Sequence, residues 1–141
     1  MLKNLSPVIT VDLLRVLESI QPGQSLAIVS DDNPYRYLNL PSVQVAATTV
    51  EQAVEAIFSA LPLAHDGDAP LLSWFADTTD ENTEDIGYAI RGLASDAELR
   101  PIEMTTIVGS HEFAAAMSNT VATLAFHTAT SPWAFLIRAG A

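Results

Sequence analysis

Three histidines, His65, His111 and His127, together with nearby carboxylates, are the side chains of this chain suited to moving protons near neutral pH. The 141 residues contain no cysteine, which excludes disulfides, thiolate catalysis and cysteine-based metal sites. No two histidines share a metal-ligand spacing, and no metal site is expected. His111 falls at the first helical position after Ser110 in "SHEFAAAM", where the positive end of a helix dipole disfavours imidazolium and keeps a neutral base available. An ordinary exposed histidine at a helix start is an equally weighted reading of that position. Asp31, in "VSDDNP", stands just past the carboxyl end of an apolar strand candidate, where open α/β sheets present ligand-binding groups; the alternative is a loop or cap aspartate. His65, in "AHDGDAP", reads as a turn residue, and His127 follows a strand pattern whose face the sequence leaves open.

Charge narrows the partners. The net charge is −11, with 17 acids against 6 bases that never form a pair or run, so neither nucleic acid nor an anionic membrane finds the cationic footprint it needs. No stretch approaches the ~20 apolar residues of a membrane span, and "MLKNLSPVIT" has no apolar signal region, so a soluble, cytoplasmic protein is expected. Of the 17 acids, nine lie between Asp66 and Glu98, but "DTTDENTED" lacks the glycine and closing glutamate of a calcium loop and reads as solvated surface. Dinucleotide, P-loop, nucleophile-elbow and zinc-protease signatures are all absent.

These groups must be positioned by a layered fold. Leu13, Val16, Leu17 and Ile20 recur at helical spacing and predict a helix over 11–20, with Thr10 as a cap. "SIQPGQS" is then a helix stop and turn shaped by Pro22 and Gly23, leading into the buried strand "SLAIVS". "SVQVAA" alternates as a short strand. "TTVEQAVEAIFSALP" is a helix with Thr49 and Gln52 as a capping box, stopped by Pro62. "LLSWFA" is a strand, "DTTDENTED" a polar link, "EDIGYAIRGLA" a helix, "IEMTTIV" a strand and "SHEFAAAM" a short helix. "TVATLAFHT" and "AFLIRAG" close the chain as strands expected to pair antiparallel across "ATSPW". The alternation predicts one domain over residues 1–141, a three-layer α/β/α sandwich with a mixed sheet and an apolar fraction of 49% to fill its core. A mean hydropathy of +0.25 in so small a domain predicts an oligomer.

The opening "MLKNLSPVITVDLLRVLESIQPG" resembles the start of the ribose pyranase and L-fucose mutarotase family (RbsD/FucU type), M-L-K-x-I-S-P-x-I-[ST]-x-x-L-L-x-x-L-A-x-M-G-H-G-D. "VSDDNP", "SHEFAAAM" and "TSPWAFLIRAGA" resemble the family's S-D-A, H-E-x-F and T-P-Y-x-N-x-I-L-K-x-G-V segments, so the resemblance spans nearly the whole chain. It implies an RbsD-like fold, a ring-shaped homo-oligomer such as a pentamer or decamer, and a monosaccharide site near a subunit boundary. It also implies interconversion of anomers or ring forms without a cofactor, by acid–base opening of the hemiacetal.

The resemblance carries Asp31 and His111 over as the acid–base pair. It departs elsewhere: the family's leading histidine corresponds to Pro22, the aspartate after it to Gln24, and the glutamate of T-G-E to Thr130. The sugar-contacting tyrosine corresponds to Trp133, whose ring can offer an apolar plate and one N–H donor. Two functions follow: a mutarotase-like enzyme of altered specificity working through His111 and Asp31, or a sugar-binding or uptake accessory without that activity. A structural ring-former is the third reading.

Overall fold

The computed structural model describes residues 11–30, 42–44, 50–65, 69–76, 79–107, 110–126 and 132–140. Six strands form one sheet: β1 (Ser25–Ser30), β2 (Ser42–Gln44), β3 (Leu71–Phe75), β4 (Met104–Ile107), β5 (Thr120–Phe126) and β6 (Trp133–Arg138), in the order β2-β5-β1-β6-β3-β4. β1 runs parallel to β5 and antiparallel to β6, β2 runs parallel to β5, and β3 is antiparallel to β6 and parallel to β4. β6 is therefore the single reversed strand among the described ones, and the other strands all end on one edge of the sheet.

α1 (Val11–Ser19), α2 (Val50–Ala60) and α3 (Glu81–Glu98) cover one face, packing Leu13, Leu17, Val54, Ile57 and Ile90 onto Leu26, Ile28, Trp133 and Phe135. The opposite face carries α4 (Ser110–Ala116) and a 3₁₀ turn at Met117–Asn119, which seat Phe113 and Met117 on Trp74, Ala134 and Leu136. This is the expected three-layer sandwich. Residues alternate between the two cores along β1 and β6, and all six residues of β1 are buried, as a central strand covered on both faces requires.

Three expectations are corrected. The closing strands form no hairpin: β1 lies between β5 and β6 and pairs with both. A strand as apolar as "SLAIVS" is stable only with neighbours on both edges, and the link from Phe126 to Trp133 is long enough to step over one strand. The acidic stretch is also more than a link. Asp80 caps α3 by accepting from the Asn82 backbone N–H at 2.9 Å, and Glu81 and Glu84 complement the dipole in the first turn, so the helix starts inside "DTTDENTED". α4 begins on Ser110 itself, making His111 its second residue. The proposed caps Thr10 and Thr49 lie outside the described residues.

The end of β6 is gripped from both sides. Ala139 N–H donates to the Gln24 carbonyl and the Ala139 carbonyl accepts from Gly23 N–H, while Ala64 N–H and Gly140 N–H donate to the Arg138 and Pro62 carbonyls. Glu98 ties this region to α3 by accepting from Leu63 N–H and pairing with Arg100 at 3.5 Å. A side chain at Gly140 would run into the Leu63 carbonyl. Gly140→Ala is expected to cost about 1–3 kcal/mol, whereas Gly92→Ala, in open space on α3, is expected to add about 0.5–1 kcal/mol. Urea midpoints at constant m-value check both.

Candidate functional site

The edge on which β1, β3, β4 and β5 end is also where β6 begins. Its best-defined feature is a clasp between the last residue of β1 and the first of β6. Backbone pairing stops at Val29–Ala134, and beyond it the buried Ser30 hydroxyl takes over: Oγ accepts from Trp133 N–H at 3.0 Å and donates to Trp133 carbonyl at 3.3 Å. Both backbone groups of Trp133 are thereby satisfied where the ladder runs out. Asp31, the residue after this clasp, lies outside the described residues, as do His127 and Thr130.

His111 is exposed at the start of α4, which follows the carboxyl end of β4. Phe113, two residues on, anchors the helix by stacking on Trp74 with centroids 5.5 Å apart. The helix start therefore stands close to the carboxyl ends of β3 and β4.

Trp133 is placed differently from the expectation. Its indole is 0% exposed and sits in the core under the helices of the other face, 5.3 Å from Phe135 and 6.4 Å from Phe126 between ring centroids. A ring with no open face cannot serve as a plate for a sugar in this chain. Trp133, Phe126 and Phe135 instead form a three-ring core beneath the Ser30 clasp.

Pro22 and Gln24 lie at the opposite edge, before β1 begins. Gln24 N–H donates to the Gln21 carbonyl at 3.0 Å, Pro22 occupies the second position of the turn and Gly23 the third with φ +88°. That is the pattern of a type II turn, which needs a left-handed residue at its third position. The Gln24 side chain closes the turn by accepting from Gln21 N–H at 2.9 Å. Pro22 and Gln24 thus shape and tie the α1–β1 connection, and both are pinned to the end of β6 through Gly23 and Gln24.

Among the described candidates, Pro22 and Gln24 are not brought together with His111 within one chain. The six residues of β1 separate the edges by about 20 Å. α4 and its 3₁₀ turn cross the same face, since the Asn119 side chain donates to the Gly23 carbonyl; from His111 to Asn119 the rise is roughly 13 Å. One monosaccharide cannot touch both.

Sequence reasoning missed an exposed aromatic on α3. Tyr88 on α3 is 64% exposed and donates its hydroxyl to Glu84 Oε1 at 2.9 Å. That hydrogen bond, and next the charge of Glu84, hold the phenol above its ordinary value of 10.0. The i, i+4 spacing of Glu84 and Tyr88 is the signal that could have found it. His65, read as a turn residue, is exposed and 3.9 Å from Glu98. Among the described residues no three His, Asp or Glu side chains gather as a metal cage requires, and no helix is long and apolar enough to cross a membrane.

The fold is shared with solved structures over nearly the whole chain. FucU from Bifidobacterium longum superposes with a TM-score of 0.82 at 19% identity over 96% of both chains. The fucose mutarotase of Streptococcus pneumoniae in complex with L-fucose gives 0.71 at 15% identity over 99% of both, and Bacillus subtilis RbsD complexed with D-ribose gives 0.69 at 11% over 95% of both. No protein-family model matches the sequence, and no curated protein is significantly similar to it.

Two measurements check this geometry. Ser30→Ala removes both side-chain hydrogen bonds to the Trp133 backbone and is expected to cost about 1–3 kcal/mol, read as a lower urea midpoint; Ser30→Thr should recover part of the loss. Glu84→Ala removes both the hydrogen-bond acceptor and the charge that oppose phenolate at Tyr88, so in ultraviolet difference titration the Tyr88 midpoint should fall toward its ordinary value; an unchanged midpoint contradicts the assigned cause.

Proposed function

We propose that the protein binds a free monosaccharide and interconverts its anomers or ring forms by acid–base opening of the hemiacetal. The observation that carries this reading is a fold shared over at least 95% of the chain with structures described as holding L-fucose and D-ribose. The chemistry asks for two proton carriers. One takes the proton of the anomeric hydroxyl while the other protonates the ring oxygen; the C–O ring bond breaks, the open-chain carbonyl forms, and reclosure on the other face reverses both transfers. Nothing is oxidised or reduced, so the reaction calls for no cofactor.

His111 and Asp31 take these roles in the proposal, His111 supported by its exposed place beside the carboxyl edge and Asp31 by its position one residue past the Ser30 clasp. Pro22, Gln24 and Thr130 are proposed as contacts, not proton carriers, since none has a group that titrates near neutral pH. Because the turn at Pro22 and the start of α4 lie at opposite edges, a site using both takes them from two copies of the chain. A ring-shaped homo-oligomer with the sugar at its subunit boundary meets that requirement.

One observation favours a second reading, a sugar-binding accessory without mutarotase activity: where the related motif has a histidine and an aspartate, Pro22 and Gln24 are committed to building a turn.

Saturation-transfer NMR on L-fucose and D-ribose decides between them. The enzyme reading predicts anomer exchange above the buffer rate, a loss on the order of 10²–10⁴ in His111→Ala, and a gain in Pro22→His, which returns an imidazole to the exposed turn. Calorimetric binding with no exchange establishes the second reading, and absence of both overturns the carbohydrate assignment.

A further inference from the structure

Beneath α3, on the face away from His111, a cleft of about 290 Å³ opens along the edge strand β4. We infer that this cleft is a second small-molecule site, for a neutral polyhydroxylated ring of monosaccharide size, on the opposite face of the sheet from the site proposed at His111. It exists because small or polar residues stand where a buried interface would carry apolar bulk. Gly87 faces Phe75 and Phe135 without a side chain of its own, and leaves open the space that a larger residue would take, since a Cβ there would already touch the Phe75 ring at 3.4 Å. On the strands below, Ser73 interrupts the apolar run of β3, and its hydroxyl meets that of Thr106 on β4 at 3.0 Å. Two hydroxyls at this point fill less space than the aliphatic side chains on the neighbouring strands.

The lining suits one ligand chemistry. Phe75 and Met104 form an apolar floor against which C–H groups of a ring can lie. Above it, Glu84, Tyr88 and Arg91 follow one another at i, i+4 and i+7 on α3 and overhang the opening. Glu84 uses one carboxylate oxygen for Tyr88, leaving the other as an acceptor, and Arg91 uses Nε for the Ile102 carbonyl at 3.0 Å, leaving its terminal nitrogens as donors. Thr83 is fixed by donating to the Asp80 carbonyl at 2.8 Å, which keeps its lone pairs available. The acids beside them on α3, Glu81 and Asp85, disfavour an anionic ligand, while Glu84 and Arg91 set one negative and one positive charge at the opening. They stand seven residues apart on α3, about 10 Å along the helix, a span suited to hydroxyls spread around a ring and too long for the adjacent ammonium and carboxylate of an α-amino acid. The volume lies at the small end of ligand cavities and suits a single ring.

The test uses three probes on the full-length chain: D-ribose, L-fucose and myo-inositol, the last having no anomeric centre. Amide NMR shifts should saturate at residues 83–91 and 104–106 at millimolar concentration with at least one probe. Glu84→Gln should weaken that response at least tenfold, and Thr106→Phe, which fills the cleft from an exposed edge position, should abolish it. His111→Ala should leave it unchanged, so that loss of the carboxyl-edge site is not mistaken for loss of this one. Absence of shifts in these segments with all three probes, or shifts that persist undiminished in both cleft variants, overturns the inference.

Discussion

The structure depends on β1 having a neighbour on each edge and a core on each face. Six consecutive buried residues make "SLAIVS" costly anywhere but the middle of a sheet, and the chain satisfies it with a parallel partner, β5, and the antiparallel β6. At one end the Ser30 hydroxyl replaces the missing ladder bonds to Trp133, and at the other the turn at Gln21–Gln24 hands its backbone groups to Ala139. β6 is thereby fixed along its whole length. It in turn holds β3, and through β3 the edge strand β4, α3 and the start of α4.

Much of this architecture was legible in the chain. Helix spacing at Leu13 and Leu17, continuous apolar strands and Pro-Gly punctuation are local signals, and each produced an element close to its expected bounds. The order of strands was not local. A short link between two apolar strands has the form of a hairpin, and only the requirement that β1 be covered on both edges inserts a third strand between them. The start of α3 was hidden for another reason: an acidic run looks like solvated link until Asp80 is seen capping and the acids after it are seen at the positive end of a helix.

The candidate site was legible in part. His111 is exposed at a helix start, as its neighbours suggested, but Trp133 belongs to the core, because the strand period that places Phe135 and Ile137 inward also turns Trp133 inward. Pro22 and Gly23 were read as backbone shapers and are that: a proline at the second turn position and a left-handed glycine at the third. Tyr88 and the cleft beside it escaped notice because Ser73, Gly87 and Thr106 are distant in sequence and unremarkable one at a time.

The separation of the two edges has the widest consequence. With the turn at Pro22 and the start of α4 on opposite ends of a six-residue strand, a sugar held by both requires two chains, and the proposed activity becomes a property of an assembly. Sedimentation equilibrium tests that requirement directly: the account predicts a mass several times 15.1 kDa at micromolar concentration, and a stable monomer of 15.1 kDa that still catalyses anomer exchange would contradict it.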